Sequence, residues 1–278
     1  MIFRILKIDI ILVVILEYKK NIVNQHKPIV SHRIATIQMS SKSVKSATLK
    51  ISHFSADGNS DEGGDYSKPF IEIGVDEAGR GPMFGRVYVG AVVLPKDSKI
   101  FDFSKMKDSK KFHSDKKIKE AAEYIKSHAI AWSVKYAEHT EIDCVNIRRA
   151  TIDCMHQAIN EIMEKMETSA DKLYLLIDGN DFIPMMKLCG GESYIQIPHI
   201  CVESGDNTYA SIAAASILAK VSRDEYIGEM CKENPELVEK YDLEKNKGYG
   251  TKKHMDGIRQ HGISKWHRRS FGLCKDFA

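Results

Sequence analysis

In IEIGVDEAGRGPMFG, residues 71–85, two carboxylates follow an apolar run directly: Asp76 and Glu77 come after Ile71, Ile73 and Val75, and Gly79, Gly81 and Pro82 come after them. Adjacent acids repel, and burial at a strand's end raises the cost, so the pair calls for a counter-charge. A divalent cation supplies one. LYLLIDGN, residues 173–180, repeats the placement, an apolar run reaching Asp178 and broken by Gly179. Asp206 stands at a glycine turn in VESGDNTYASIAAASILAKVSRDEY, residues 202–226, ahead of a stretch rich in small residues. An acid there serves as a helix cap. Equally, alanines at 213, 214, 215 and 219 let a helix lie close to a sheet and carry Asp206 toward the strand ends. Four converging acids would need cations, and oxygen ligands without Cys or His select Mg2+ or Mn2+ over zinc. Such a set suits two-metal phosphodiester hydrolysis. Consecutive strand residues face opposite sides, so Asp76 and Glu77 share a site only if the strand has ended by Glu77.

The elements that must position these acids alternate. Apolar runs predict strands over 71–75, 87–94, 130–137, 173–178 and 194–200. Helices are predicted over 114–127, 141–166, 207–232 and 251–261, with Thr140 as cap of the second. Five strands with helices between and after them make an α/β layer fold with a mixed sheet. Residues 55–69, SADGNSDEGGDYSKP, read as a polar linker, which places the domain start near Phe70. Residues 1–69 are thus expected to be a disordered extension and 70–278 the folded domain. The apolar run 10–16 is seven residues long, against about 20 for a membrane span. No membrane association is expected. From Tyr18 to Ala56 there are seven Lys plus Arg and no acid, a composition shared by organelle transit segments. The apolar start and the lack of a small-residue cleavage site favour an extension instead.

Among 278 residues, 43% hydrophobic, the net charge is only +3, so no general affinity for polyanions follows. Charge is concentrated locally. Residues 105–119 hold seven lysines against two aspartates, and residues 241–278 hold nine Lys plus Arg against four acids. These are either solvated helix faces or two places for phosphate contacts. Six cysteines without paired spacing point to a reducing, intracellular setting, with the cytoplasm expected, and to no zinc site.

GVDEAGRGP, DSKK at 108–111, IDG at 177–179, SGD followed by AAASILAKVSRD, NKGYGT at 246–251 and HRRSF at 267–271 together resemble ribonuclease HII, over roughly residues 70–278. The resemblance implies an RNase H-like fold, a mixed five-stranded sheet flanked by helices with a C-terminal helical region. It implies endonucleolytic cleavage of RNA in RNA–DNA hybrids and at single ribonucleotides embedded in duplex DNA, leaving a 3′-hydroxyl and a 5′-phosphate. Carried over by position, Asp76, Glu77, Asp178 and Asp206 match the family's metal-binding acids, holding two Mg2+ or Mn2+ ions. Gly79, Arg80 and Gly81 match the turn that reads the ribose 2′-hydroxyl, Tyr249 the aromatic that packs on the neighbouring sugar, and Lys110 a lysine near the scissile phosphate. Lys220 is a weaker match, since it can pair with Asp224 one turn on. Arg86 departs from the family's usual proline. Arg80 and Asp206 favour this class over ribonuclease HIII. No glutamine with paired aromatics follows HRRSF, so no sliding-clamp contact is expected, and the protein is expected to be a monomer.

Two other readings compete. Another RNase H-like nuclease acting on DNA structures would cut junctions that contain no ribonucleotide. A noncatalytic nucleic-acid-binding module would use the glycine turn as a phosphate cradle, act without Mg2+ and have no need of Asp178.

Overall fold

Residues 48–54, 70–189 and 193–278 are described by a computed structural model, and all fall in one compact unit. The apolar run 10–16 and the linker 55–69 lie outside the described residues, as does the basic stretch 18–56 apart from 48–54. Alternation of side chains builds the central strands: β1 (Ile71–Ala78), β2 (Val87–Val93), β3 (Ala131–Ala137), β4 (Leu173–Asp178) and β7 (His199–Val202). Their order is β3-β2-β1-β4-β7. Pairing is antiparallel among β1, β2 and β3 and parallel from β1 through β4 to β7.

Each face of this sheet takes a helix. Ile73, Val75, Leu175 and Ile177 pack against Ala158, Ile159 and Ile162 of α3 (Ile147–Lys165). Complete burial of such an isoleucine contributes about 1.5–3 kcal/mol. The other face meets α4 (Ala210–Glu233), on which α1 (Asp115–His128) packs in turn. Its alanines matter for distance. Gly74 and Gly90 lie so close to the backbone of α4 at Ser211 and Ala215 that a Cβ at either would collide with it.

Four expectations change. First, β1 runs on to Ala78, paired Asp76↔Gly90 and Glu77↔Val89, because the ladder with β2 still holds there. Second, the stretch 194–200 is two strands. Ser193–Gln196 (β6) pairs with Met186–Cys189 (β5) in a separate hairpin, and β7 begins after Pro198, which lacks the N–H a continuing strand would use. Third, the helix at 141–166 is interrupted: α2 (His139–Val145) ends at Asn146, whose φ of +70° breaks it and whose side chain caps α3 at the Arg149 N–H. Thr140 is therefore no cap. Fourth, the folded part reaches back before Phe70. The Lys50 N–H donates to Thr208 O at 2.7 Å and the Ala210 N–H to Lys50 O at 3.0 Å, while both oxygens of buried Glu72 are taken by Ser52 and the His53 N–H. Phe54 joins an aromatic cluster with Phe70 and Tyr174. This strap supplies a main-chain cap to α4, whose N-cap residue Tyr209 has no side-chain cap bond.

Short helices α5 (Glu236–Tyr241), α6 (Leu243–Asn246) and α7 (Lys252–His261) complete the C-terminal helical region, α7 being capped by Thr251.

Candidate active site

Parity along the strands sorts the acids. Ile73 and Val75 face α3, so Glu77 does too, beside Arg148, Thr151 and Met155; Asp76 follows Gly74 to the α4 side. Glu77 is thus turned away from its neighbour, with Arg80 Nη1 3.5 Å from its Oε1. The sequence-based condition for a shared site is not met by an early strand end. It is met by Asp178, one residue past the last β1–β4 pair, Val75↔Ile177, and adjacent to both acids across the strand tips. Asp206 comes in on a 3-10 turn, Gly205–Asn207, whose Gly205 N–H donates to Asp178 Oδ1 at 2.6 Å. It does not cap α4.

Burial raises Asp76 well above the ordinary carboxylate range, and the charges of Glu77 and Asp178 push it further. Burial also raises Glu77, against the lowering effect of Arg80, and raises Asp206, with Asp108 and Asp178 adding repulsion. Two small groups offset this at Asp76: the Glu77 N–H, 2.6 Å from Oδ1, and the Ser216 hydroxyl, itself held by Ser109 at 3.0 Å. The cations of the site stand on its other acids, Arg80 beside Glu77 and Lys110 beside Asp206, and the neighbours that act on Asp76 by charge are Glu77 and Asp178. Among the described residues no three acids, histidines or cysteines already enclose a metal position. The fit to hard divalent ions rests on the donor chemistry, carboxylate oxygens whose mutual repulsion a cation removes.

A groove of about 640 Å³ passes over Asp76, Glu77, Asp178 and Asp206, and its walls carry Gly79, Arg80, Gly81, Lys110 and Tyr249. All nine residues singled out by sequence therefore line one space. Tyr249 is half exposed and lies beside Gly81, its ring 3.6 Å from where a Cβ on that glycine would stand. Gly79 has φ +97°, which favours glycine, and a side chain there would collide with Arg223. Lys220 also lines the groove and pairs with Asp224 at 2.7 Å, as its spacing allows. Asp108, Ser109, Asn207, Ser216 and Arg223 share the space without having been foreseen. Ser109 and Asp108 sit in the DSKK motif, the one signal that could have flagged them. Arg86, the departure from the usual proline, is held between Tyr136 and Tyr226 rings at 4.1 and 4.5 Å and paired with Glu138.

Two arginines, one of them Arg223 of the groove wall, and two histidines are buried. Arg268 and Arg223 are 0% and 1% exposed and donate to main-chain carbonyls. His254 donates from Nδ1 to Tyr249 O at 2.9 Å, which leaves its Nε2 to accept from His267 Nε2 at 3.0 Å; His267 Nδ1 then accepts from Ser264. Burial lowers both histidines, His267 to about 3 with the added effect of His254, so the pair is neutral at physiological pH.

Comparison with known proteins gives a consistent picture. The family profile described as Ribonuclease HII matches residues 73–274. Ribonuclease HII of Bacteroides thetaiotaomicron is 42% identical over 210 residues, covering 76% of this chain and 94% of its own. Ribonuclease H2 from Pyrococcus horikoshii OT3 shares the fold with a TM-score of 0.57 at 20% identity, over 74% of this chain and 96% of its own. Bst-RNase HIII in complex with Mn2+ aligns with a TM-score of 0.56 at 19% identity, over 74% of this chain and 68% of its own.

Proposed function

The chain belongs to the ribonuclease HII family and is a divalent-metal-dependent endoribonuclease acting on RNA–DNA hybrids; we propose that it also cuts duplex DNA at single embedded ribonucleotides, with Asp76, Glu77, Asp178 and Asp206 holding two Mg2+ or Mn2+ ions. What supports this reading is the single groove that joins those four acids to the Gly79–Gly81 turn and Tyr249. Bound there, two such ions would activate the attacking water and stabilise the leaving oxygen, giving a 3′-hydroxyl and a 5′-phosphate. The chain's own residues do the rest. The glycine turn lets main chain approach the ribose 2′-hydroxyl, the one group that separates a lone ribonucleotide from its neighbours. Tyr249 packs on the following sugar, which accepts the ring when it lacks a hydroxyl. Lys110, whose charge works against the rise at Asp206, faces the scissile phosphate.

One chain supplies every group, so we take the working form to be a monomer. Five described cysteines are free thiols, in keeping with an intracellular, cytoplasmic setting, and no helix among the described residues is long and apolar enough to cross a membrane. The test is a labelled DNA duplex with one ribonucleotide, incubated with Mg2+, Mn2+ or chelator. A cut at the ribonucleotide that chelator abolishes is the expected result. An intact duplex under all three conditions, or a cut that survives chelation, would overturn the proposal.

A further inference from the structure

Arg268 is fully buried and makes no ion pair among the described residues, an arrangement that costs heavily unless every donor finds an acceptor. Its acceptors all come from one turn. Nε donates to Gly85 O at 2.8 Å, Nη1 to Pro82 O at 2.8 Å and Arg80 O at 3.0 Å, and Nη2 to Gly79 O at 2.7 Å. Burial, with the Arg223 charge adding to it, draws Arg268 down to about 9, still charged at neutral pH.

A trans peptide points its C=O and the following N–H in opposite directions. Drawing the Gly79 and Arg80 carbonyls inward therefore turns the N–H groups of Arg80 and Gly81 outward. The next amide N–H along, that of Met83, is already committed to Gly248 O at 2.9 Å, whereas neither Arg80 nor Gly81 donates its backbone N–H to any described residue. Two free donors thus face the groove wall beside Tyr249, where an oxygen acceptor is to be read. Arg223 links the same turn to the segment that carries Tyr249, with Nη2 donating to Phe84 O at 3.4 Å and to Lys247 O at 2.8 Å.

We propose that Arg268 is a positioning residue for ribose recognition: it touches no substrate, and sets the direction in which the Arg80 and Gly81 amides meet the 2′-hydroxyl. This rests on the reading of the glycine turn given above. In an Asp178→Asn background, expected to bind without cutting, affinity is measured for a duplex with one ribonucleotide and for the all-DNA duplex of the same sequence. Adding Arg268→Lys, which keeps the charge but not the fork of donors, should reduce the preference for the ribonucleotide at least tenfold and shift all-DNA binding less than threefold. Ile162→Ala, a core change remote from the turn, should lower the melting temperature and leave the preference intact. An unchanged preference in Arg268→Lys overturns the proposal. Equal affinities in Asp178→Asn alone would tell against the ribose-reading turn itself and so against the proposal with it. Should Arg268→Lys not fold, amide spectra of the Asp178→Asn protein decide: the Arg80 and Gly81 signals should move with the ribonucleotide duplex and not with the all-DNA one. Signals that ignore the ribonucleotide overturn the assignment. Cleavage by the wild-type enzyme, measured separately, keeps the failure of this inference distinct from failure of the proposed function.

Discussion

Asp76 and Arg268 are both almost wholly buried, at 5% and 0% exposure, on either side of the same short turn, yet their surroundings are opposite in kind. Around Asp76 the neighbours are further acids, and its charged form is disfavoured by burial and by Glu77 and Asp178. Around Arg268 stand four carbonyl oxygens, each within 3.0 Å, so the charge is solvated by the fold itself. On the proposed reading, bound cations would complete the acid cluster. The arginine cluster is finished when the chain folds. From this difference, loss of an acid should cost activity and spare stability, whereas loss of an arginine should cost stability as well.

The largest effect is expected for Asp76→Asn. With the donor charge gone and the volume kept, turnover should fall about a thousandfold or more. The melting temperature should hold or rise, since a source of repulsion is removed, and the gain in stability expected of wild type on adding Mg2+ should shrink. A destabilised Asp76→Asn with near-normal rates would erase the contrast. On the other side, Arg223→Met leaves the Lys247, Phe84 and Arg86 carbonyls short of a donor, and should cost about 2–4 kcal/mol by denaturant titration, at about 1–3 kcal/mol per unsatisfied buried group with partial relaxation.

Acid should expose the dependence of the C-terminal region on neutral imidazoles. His267 binds its proton near pH 3 when folded and near 6.5 when unfolded, so the unfolded chain holds more protons between those values. Stability is then full above about pH 6.5 and declines as pH falls toward 3, by up to about 1.4 kcal/mol per unit for this group. His267→Gln should flatten that limb; an unchanged pH profile would remove the histidine pair from the account. Smaller still, Tyr249→Ala should slow cutting at a single ribonucleotide about tenfold, in line with about 1–3 kcal/mol for a lost aromatic stacking contact. The loss should be less inside a long hybrid, where the following sugar is a ribose, and the melting temperature should barely move because the ring is half exposed. Equal losses on both substrates would make Tyr249 a general packing residue. Last, deleting residues 1–47 should change neither rate nor melting temperature, whereas deletion through residue 54 should lower the latter by a few degrees, as expected when about 1 kcal/mol of capping and packing is lost.

The acid cluster was legible in sequence and the arginine cluster was not, for a physical reason. A carboxylate after Ile71, Ile73 and Val75 violates the local pattern, and Asp178 repeats the violation, so both stand out without a partner being known. Arg268 conforms to its surroundings, a basic residue in a basic stretch, and its meaning lies in carbonyls more than 180 residues earlier. Main-chain acceptors leave no trace in side-chain identity. The broad layering was equally legible because period-2 runs and the alanine-rich α4 encode it. The break at Asn146 and the β5–β6 hairpin were missed because each turns on one residue's backbone, a positive φ or a proline, inside an otherwise continuous apolar pattern. The two opposite directions of Asp76 and Glu77 followed from parity once the strand was known to reach Ala78.

The strap at 48–54 has a consequence for the order in which the chain acquires its shape. His53 bonds to the Tyr209 hydroxyl at 2.9 Å, 156 positions along the chain, and Lys50 closes on Thr208 and Ala210. Glu72 and Phe70, which take Ser52, the His53 N–H and Phe54, follow within 20 residues, but the edge that Lys50 and the His53 ring dock on does not exist until the first turn of α4 has been made and assembled. Closing so long a loop is slow and entropically costly, and its reward comes only after the rest of the sheet is in place. Lys50 and the His53 ring, near the start of the described residues, are therefore among the last groups of the enzyme to find their partners.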